Sequence, residues 1–249
     1  MEEKKTALIT GASRGIGASV AKRLAKDGHN VVLNCKTKES EQKFLQPLKK
    51  ICESFGVGCK SFVCDVSDFN QCEKMVEFVK ENFSSIDFLI NNAGITKDCL
   101  IARMEPQDFD LVLNVNLKGI FNLTKLVSKT MVRQKSGRIV NVSSVVGLKG
   151  NIGQFNYAGA KAAIVGMTKS AAKELGKKGI LVNAIAPGFV KTQMTEKLDE
   201  AFKEKIKQNI VLKRFAEVED VSGVVSFLCG KDSSYITGQV IVVDGLLLI

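Results

Sequence analysis

An α/β fold built on one doubly wound parallel sheet is predicted by three features of this 249-residue chain. Seven short, β-rich apolar runs recur along it. Stretches of helical periodicity lie between them. The glycine-rich and polar motifs follow directly on the ends of the apolar runs, where ligands bind in open parallel sheets.

The runs are TALIT (6–10), NVVLN (30–34), KSFVCDV (60–66), IDFLINNAG (86–94), GRIVNVSS (137–144), ILVNAIAPG (180–188) and QVIVVDG (239–245). Helical patterns such as GASVAKRLAKDG, FNQCEKMVEFVKENF and GMTKSAAKELGKKG separate them. Strands joined by single helices form right-handed βαβ units, which place helices on both faces of a parallel sheet. Nothing marks a break between domains: there are three prolines, no low-complexity linker and no fixed-period repeat. The expectation is one seven-stranded domain over residues 1–249, with an amphipathic, Lys/Glu-rich segment at about 191–215 acting as a lid.

Composition narrows the function classes. Hydrophobic residues make up 45% of the chain, enough for a sizeable core, yet no window approaches 18 uninterrupted apolar residues. The opening run MEEKKTALIT has no signal-peptide core and passes straight into an apolar strand. A cytoplasmic protein is expected, or one of an organelle stroma or matrix if a presequence has been removed. The seven cysteines include no CxxC pair and there is one histidine, so free thiols are expected and no metal site. The net charge of +10 suits an anionic partner. The lysines are dispersed, tryptophan is absent and no aromatic residues interleave with basic ones, which argues against nucleic acid. A lysine-rich solvated surface accounts for much of the charge.

The first strand leads into TGASRGIG. Gly11, Gly15 and Gly17, with Ala12, Ser13, Arg14 and Ile16 between them, form a tight turn at a helix start. Small residues let the backbone approach a pyrophosphate, and the helix N-terminus supplies N–H donors and partial positive charge. This predicts a Rossmann-type dinucleotide site. At the end of the second strand, NCKTKES carries no acid to bind a ribose 2′-hydroxyl. Lys36 and Lys38, with Arg14, favour a 2′-phosphate, hence NADP(H). Asp65 and Val66 after the third run are placed to contact an adenine ring, and Asn92, Ala93 and Gly94 after the fourth to line the cofactor. Those asparagines can equally pin the strand ends to one another.

NYAGAKAA places Tyr157 one helical turn before Lys161, on the same helix face. A free phenol has a pKa near 10, and neighbouring positive charge favours the phenolate, so Lys161, together with a bound nicotinamide that is positive when oxidised, is expected to lower the Tyr157 pKa. Ser144 ends the fifth run; its neighbour Ser143 reads as structural, and His29 as a loop residue.

TGASRGIG, CDVSD, NNAG, NVN (114–116), the Ser144…Tyr157…Lys161 series and PGFV (187–190) together resemble the short-chain dehydrogenase/reductases over essentially the whole chain. NNAGITKDCLIARM, NVSSVVGLKGNIGQFNYAGAKAA, APGFVKTQM and SSYITGQV look like the bacterial-type 3-oxoacyl-(acyl-carrier-protein) reductases of fatty acid synthesis. The resemblance makes Tyr157 the general acid and Lys161 a ligand of the nicotinamide ribose. It gives Ser144 the substrate carbonyl and Asn116 the anchoring of a proton-relay water. Pro187, Gly188, Val190 and Thr192 then contact the nicotinamide end. It implies an acidic acyl carrier protein as partner, docked by basic residues at the mouth of the site. Lys135 and Lys178 fall at the matching positions. It also implies a homotetramer that buries the small-residue helix after Tyr157 and the apolar tail. Relatives often carry a second glycine after the tail's Asp-Gly, where this chain has Leu246. Reduction of acetoacetyl-CoA, a quinone or a sugar or steroid carbonyl by the same groups remains an alternative, as does a non-enzymatic NADP(H) binder.

Overall fold

The computed structural model describes residues 4–196 and 199–247. All seven apolar runs become strands: β1 (Thr6–Ile9), β2 (Asn30–Cys35), β3 (Cys59–Val63), β4 (Phe88–Asn91), β5 (Gly137–Val142), β6 (Ile180–Pro187) and β7 (Val240–Val243). They pair in parallel in the order β3-β2-β1-β4-β5-β6-β7. The order reverses at β1/β4, the switch point at which open sheets leave a crevice.

Several strands are shorter than their apolar runs, for local polar reasons. The third run leaves the sheet at Val63, before Asp65, whose carboxylate accepts the Ser67 N–H at 3.0 Å and turns the chain. The first run stops at Ile9, and the Thr10 hydroxyl then accepts the N–H groups of Asn92 and Ala93 at 2.9 and 3.0 Å.

Eight longer helices cover the sheet: α1 (Gly15–Lys26), α2 (Gln46–Glu53), α3 (Phe69–Asn82), α4 (Pro106–Leu113), α5 (Gly119–Gln134), α6 (Phe155–Leu175), α7 (Glu200–Gln208) and α8 (Val218–Cys229). The strand period of two divides the core between the faces. Ala7 and Ile9 pack with Val20, Leu24, Val221 and Val225 on the α1/α8 side. Leu8, between them in sequence, packs with Met75, Leu123 and Val127 on the α3/α5 side. Both faces are thus covered, as a parallel sheet requires. Each fully buried aliphatic side chain contributes roughly 1.5–3 kcal/mol. A third, smaller cluster of Val145, Ile206, Ile210, Phe215 and Leu247 holds the segment around α7 above the end of β5.

Caps mark the helix starts. The Asp68 carboxylate accepts the Gln71 N–H at 3.0 Å before α3, and Glu217 and Asp220 form a reciprocal capping box before α8. One π-helical turn, Asn114–Lys118, joins α4 to α5 and carries Asn116. All seven cysteines are free thiols. His29 lies in the α1–β2 turn with its ring edge-on to Phe88, centroids 5.1 Å apart. Leu246 takes a left-handed φ of 59°, a conformation that glycine adopts without penalty.

Two glycines of positive φ show backbone strain with and without steric clash. Gly150 has φ +78° and open space around it, whereas a Cβ on Gly179, at φ +77°, would lie 2.3 Å from the Lys135 carbonyl oxygen. Gly150, with ψ 170°, lies in an extended region open almost only to glycine, whereas Gly179, with ψ 15°, is left-handed helical. Gly150→Ala is expected to cost about 1–3 kcal/mol of backbone strain alone, and Gly179→Ala the left-handed penalty of about 1 kcal/mol plus about 1–3 kcal/mol for the clash. Urea unfolding of the two variants beside the parent checks both; a Gly179→Ala variant within about 1 kcal/mol of the parent would contradict this packing.

Candidate active site

The predicted site residues, except two lysines, converge at the carboxyl ends of the strands. Between β1 and α1, Gly11 and Gly15 take left-handed φ values of +60° and +55°. A Cβ on Gly17 would lie 2.4 Å from the Gly11 carbonyl oxygen and 2.6 Å from Asn92 Nδ2, so only glycine lets the turn close. Arg14 precedes α1 without capping it by its side chain, leaving the helix N-terminus to face outward. Ala12 is buried and its N–H donates to the Asn34 carbonyl at 2.8 Å. Ser13 is half-buried, and Ile16 packs against the α1-side core. Asn92 Nδ2 donates to the carbonyls of Thr10 and Gly11 at 2.9 and 3.1 Å, so it ties the end of β4 to the glycine turn. The bracing role foreseen for these asparagines is therefore present. Asn91 and Asn141 extend it across the sheet, with Asn91 Nδ2 donating to Asn141 Oδ1 at 2.9 Å.

On the β2 side, Lys36 Nζ lies 2.8 Å from Asp65 Oδ2. Partial burial works against ionisation of Asp65, but bonds from Lys36 and Ser67 overcome it and hold the carboxyl below its ordinary pKa. Val66 is buried against Gly119, where a Cβ would come within 2.7 Å of it. Lys38 opens the exposed turn beyond. The chain after β6 folds back over the glycine turn. Gly188 passes close to Asp244, Val190 bridges to Ala216, and the Thr192 methyl lies 3.3 Å from where a Gly15 Cβ would sit. Arg14 Nη1 donates to Gln193 Oε1 at 3.2 Å.

The proton-handling groups sit where β5 meets the first turns of α6. Lys161 is 3% exposed, and its Nζ donates to the Val142 carbonyl at 2.7 Å and lies 5.5 Å from the centre of the Tyr157 ring. The Ser144 hydroxyl hydrogen-bonds the Tyr157 phenol and also accepts the Val146 N–H at 3.2 Å. Ser143 does the structural work expected of it, donating from its hydroxyl to the Lys161 carbonyl at 2.8 Å. Gly94 lies between Asn116 and Lys161: a Cβ there would be 3.3 Å from Asn116 Oδ1 and 3.6 Å from Lys161 Nζ. Asn116 itself is buried and clasps Ile95, accepting its N–H at 2.8 Å and donating to its carbonyl at 2.9 Å.

The electrostatics correct one expectation. Burial pushes the Tyr157 phenol up to about 12; the Ser144 hydrogen bond opposes this and the Asp98 carboxylate reinforces it. Burial brings Lys161 down to about 8. Desolvation, rather than the Lys161 ammonium one turn away, thus sets the direction of the phenol's shift. At neutral pH the phenol holds its proton and Lys161 is mainly an ammonium, an arrangement made to donate a proton.

Lys135 and Lys178 are brought together, but elsewhere. They close the turns that lead into β5 and β6, and Gly179 packs on the Lys135 carbonyl. Ser144 lies beyond the other end of β5, roughly 20 Å away at about 3.3 Å per residue. The two lysines therefore do not border this chain's own catalytic groups, contrary to the expectation that they flank the mouth. Sequence reasoning also passed over Asn156, Gln154 and Asp98, which shape the start of α6. Asn156 stood inside the motif, but nothing in the spacing told which way its amide would turn.

A family profile described as "Enoyl-(Acyl carrier protein) reductase" matches residues 11–245. A 3-oxoacyl-(acyl-carrier-protein) reductase of Thermotoga maritima is 48% identical over 247 residues, covering 99% of each chain. One of Staphylococcus aureus is 45% identical over 246 residues, 98% of each. Among solved structures, levodione reductase superposes with a TM-score of 0.92 at 35% identity, over 97% of this chain and 96% of that one. The chain belongs to the short-chain dehydrogenase/reductase family.

Members of this family are oxidoreductases that use a nicotinamide cofactor, and the residues here fit one. The glycine turn leaves no room for side chains, the α1 N-terminus is uncapped by Arg14, and Lys161 is a buried ammonium beside the Gly94 backbone. Gly11 to Gly17 would hold the pyrophosphate, and Lys161 would reach the ribose of the nicotinamide. The cofactor supplies hydride to, or takes it from, a carbon. The chain's own residues are placed to handle the rest: Ser144 would orient a carbonyl oxygen, Tyr157 would give that oxygen a proton, and Lys161 would keep positive charge beside the phenolate that forms. Gly17→Ala is expected to lower dinucleotide affinity at least ~10-fold while leaving far-ultraviolet circular dichroism unchanged. Calorimetric titration checks it; parental affinity would contradict the close-approach reading.

Proposed function

We propose that this chain is an NADPH-dependent 3-oxoacyl-(acyl-carrier-protein) reductase, making 3-hydroxyacyl-(acyl-carrier-protein) for fatty acid synthesis. The observation that carries the proposal is the Ser144–Tyr157–Lys161 constellation, with Ser144 and Lys161 buried and Tyr157 half-buried beside them, whose acid is protonated at neutral pH, facing a glycine turn fit for a dinucleotide. Relatives of that name in Thermotoga maritima and Aquifex aeolicus, at 48% and 44% identity, span 99% and 97% of this chain and support the choice of substrate. Asn116 anchors the proton relay to Lys161. Asp65, Val66, Asn92, Ala93 and Gly94 line the adenosine and nicotinamide halves, and Pro187, Gly188, Val190 and Thr192 close over the nicotinamide.

The reading of NADPH over NADH rests on the basic residues Lys36 after β2 and Arg14 in the glycine turn, and on the lack of an acid at the end of β2 for a free 2′-hydroxyl; a 2′-phosphate would draw Lys36 from Asp65. The single domain carries its lid at about 191–215, within which residues 197–198 lie outside the described chain. The small cluster around α7, separate from the two main cores, suits an element that opens on its own. The acyl carrier protein is acidic and a chain of +10 attracts it. Lys135 and Lys178, remote from this chain's catalytic groups, would serve carrier docking only toward a neighbouring copy. A homotetramer supplies such copies. The exposure of Val242 and Leu246 and the open space over Gly159 and Gly166 on α6 suit burial in that assembly. Among the described residues no helix is long and apolar enough to cross a membrane, and on this reading the chain works in the cytoplasm.

The test follows NADPH consumption with acetoacetyl-carrier protein, acetoacetyl-CoA and a 2-enoyl thioester, with NADH as control. Rapid turnover of the 3-oxo thioesters with NADPH alone is expected. Tyr157→Phe should lose about 10²–10⁴-fold in rate while still binding NADPH. Turnover of the enoyl thioester instead, the reaction named by the family profile, or an active Tyr157→Phe variant, would overturn the proposal.

A further inference from the structure

After β6 the chain passes out through α7 and returns to close on itself. At the base of this limb the Ala216 N–H donates to the Phe189 carbonyl at 2.9 Å, and the Lys191 N–H to the Ala216 carbonyl at 2.8 Å. The returning end is stitched to the turn 244–247. The Val211 N–H donates to the Leu246 carbonyl at 3.2 Å and the Leu212 N–H to the Gly245 carbonyl at 3.3 Å, and Ile210 bridges Leu247 in antiparallel fashion. The turn itself is firmly held. The Asp244 carboxylate accepts the N–H groups of Leu246 and Leu247 at 2.9 and 3.3 Å, and a Cβ on Gly245 would lie 2.9 Å from Ile210 Cγ2. Leu246 is exposed yet keeps its left-handed φ of 59°, backbone strain that persists only where the surroundings over-determine it.

One side chain joins this turn to the catalytic groups. Lys149 Nζ donates to the Leu247 carbonyl at 2.6 Å. Lys149 ends the short helix Val146–Lys149, and its own N–H donates to the Val145 carbonyl at 3.0 Å. Ser144 holds the other end of that helix: its hydroxyl accepts the Val146 N–H at 3.2 Å and its carbonyl accepts the Gly147 N–H at 3.0 Å. Between the two ends, Gly147 packs on the Lys161 backbone. Leu247 in turn shares the small cluster of Val145, Ile206, Ile210 and Phe215, in which the limb buries its apolar side chains. The limb and the helix that Ser144 caps therefore meet at the Leu247 carbonyl. A segment with few buried apolar side chains opens at low cost, and a hydrogen bond from an ammonium is stronger than one between neutral groups, so this bond is a large share of what keeps the limb down.

We propose that Lys149 is a positioning residue: through the Leu247 carbonyl it fastens the α7 limb against the helix that Ser144 caps, and so sets the fraction of the protein whose limb is closed for substrate. The proposal deepens the reductase reading and rests on it for the choice of substrate. When the limb is loosened, substrate binds productively only to the closed fraction, so its apparent affinity falls by that fraction. Bound substrate draws the limb shut again. The expected signature is a raised KM at an unchanged kcat. A merely structural role would remove active protein, and would lower kcat at an unchanged KM.

The experiment measures kcat and KM for acetoacetyl-CoA, at saturating NADPH, in the parent, Lys149→Met and Lys149→Arg. The methionine keeps the apolar stem and removes the donor; the arginine restores a donor. Lys149→Met is expected to raise KM about tenfold with kcat near the parental value, the scale of one hydrogen bond to a charged group, and Lys149→Arg to keep the parental KM. A second readout needs no turnover. Limited digestion with trypsin, followed by mass spectrometry, gives the rate of cleavage after Lys205 and Lys207 within α7. Cleavage there follows the population of the opened limb, so it is expected to quicken about tenfold in Lys149→Met and to stay parental in Lys149→Arg. A parental KM in Lys149→Met, a fall in kcat alone, or a KM rise shared by Lys149→Arg overturns the proposal. A parent inactive on every 3-oxo thioester would sink the functional reading instead. The digestion then decides, and equal α7 cleavage in the parent and Lys149→Met overturns the proposal.

Discussion

Lys161 carries an ammonium into the interior with one protein carbonyl, that of Val142 at 2.7 Å, as its hydrogen-bond partner. An ion withdrawn from water costs several kcal/mol unless it is compensated. Here the outcome is a pKa of about 8, a lysine held near the edge of losing its proton. The surroundings are arranged to keep it there. Ser143 bonds the Lys161 carbonyl, Gly147 lets the short helix Val146–Lys149 press on the Lys161 backbone, and Gly94 leaves room above the ammonium. A side chain at Gly147 would lie 2.7 Å from Lys161 Cβ and would push the lysine out of line. Tyr157 lies beside this one buried charge, with Lys161 Nζ 5.5 Å from the centre of its ring.

The two buried groups have complementary protonation states. Desolvation raises the phenol and lowers the ammonium, so each resists its charged form. The phenol is then a proton donor with little tendency to ionise unprompted. Its ionisation becomes favourable only when a more basic oxygen, such as a forming alkoxide, takes the proton. Lys161 supplies positive charge at that moment without reorganisation, which is where preorganised electrostatics contribute most. Helix α6 makes the pairing possible because its i,i+4 face points to the carboxyl ends of β4 and β5.

Most of the architecture was legible because it rests on periodicity. Seven apolar runs gave seven strands, and the motif-bearing ends of those runs came together at one edge of the sheet. The glycine turn was legible too, since its sterics depend on residues next to one another in sequence. The sign of the Tyr157 shift was not, because spacing reports a neighbouring charge and is silent on burial. The clasp of Asn116 on Ile95 and the turn of the Asn156 side chain depend on amide orientations that only the folded chain defines. Lys135 and Lys178 misled for a topological reason: each precedes its strand, so both lie at the amino edge of the sheet, whereas the chemistry lies at the carboxyl edge.

The central claim is that a neutral phenol works beside a lysine that stays charged only up to about pH 8. The most direct measurement is kcat/KM for carbonyl reduction across neutral and alkaline pH. A plateau near neutrality, then a tenfold fall per unit above about pH 8 as Lys161 loses its proton, is the predicted result. Activity that instead rises through that range would mean that the phenolate or the neutral amine is the working form, and would contradict the account.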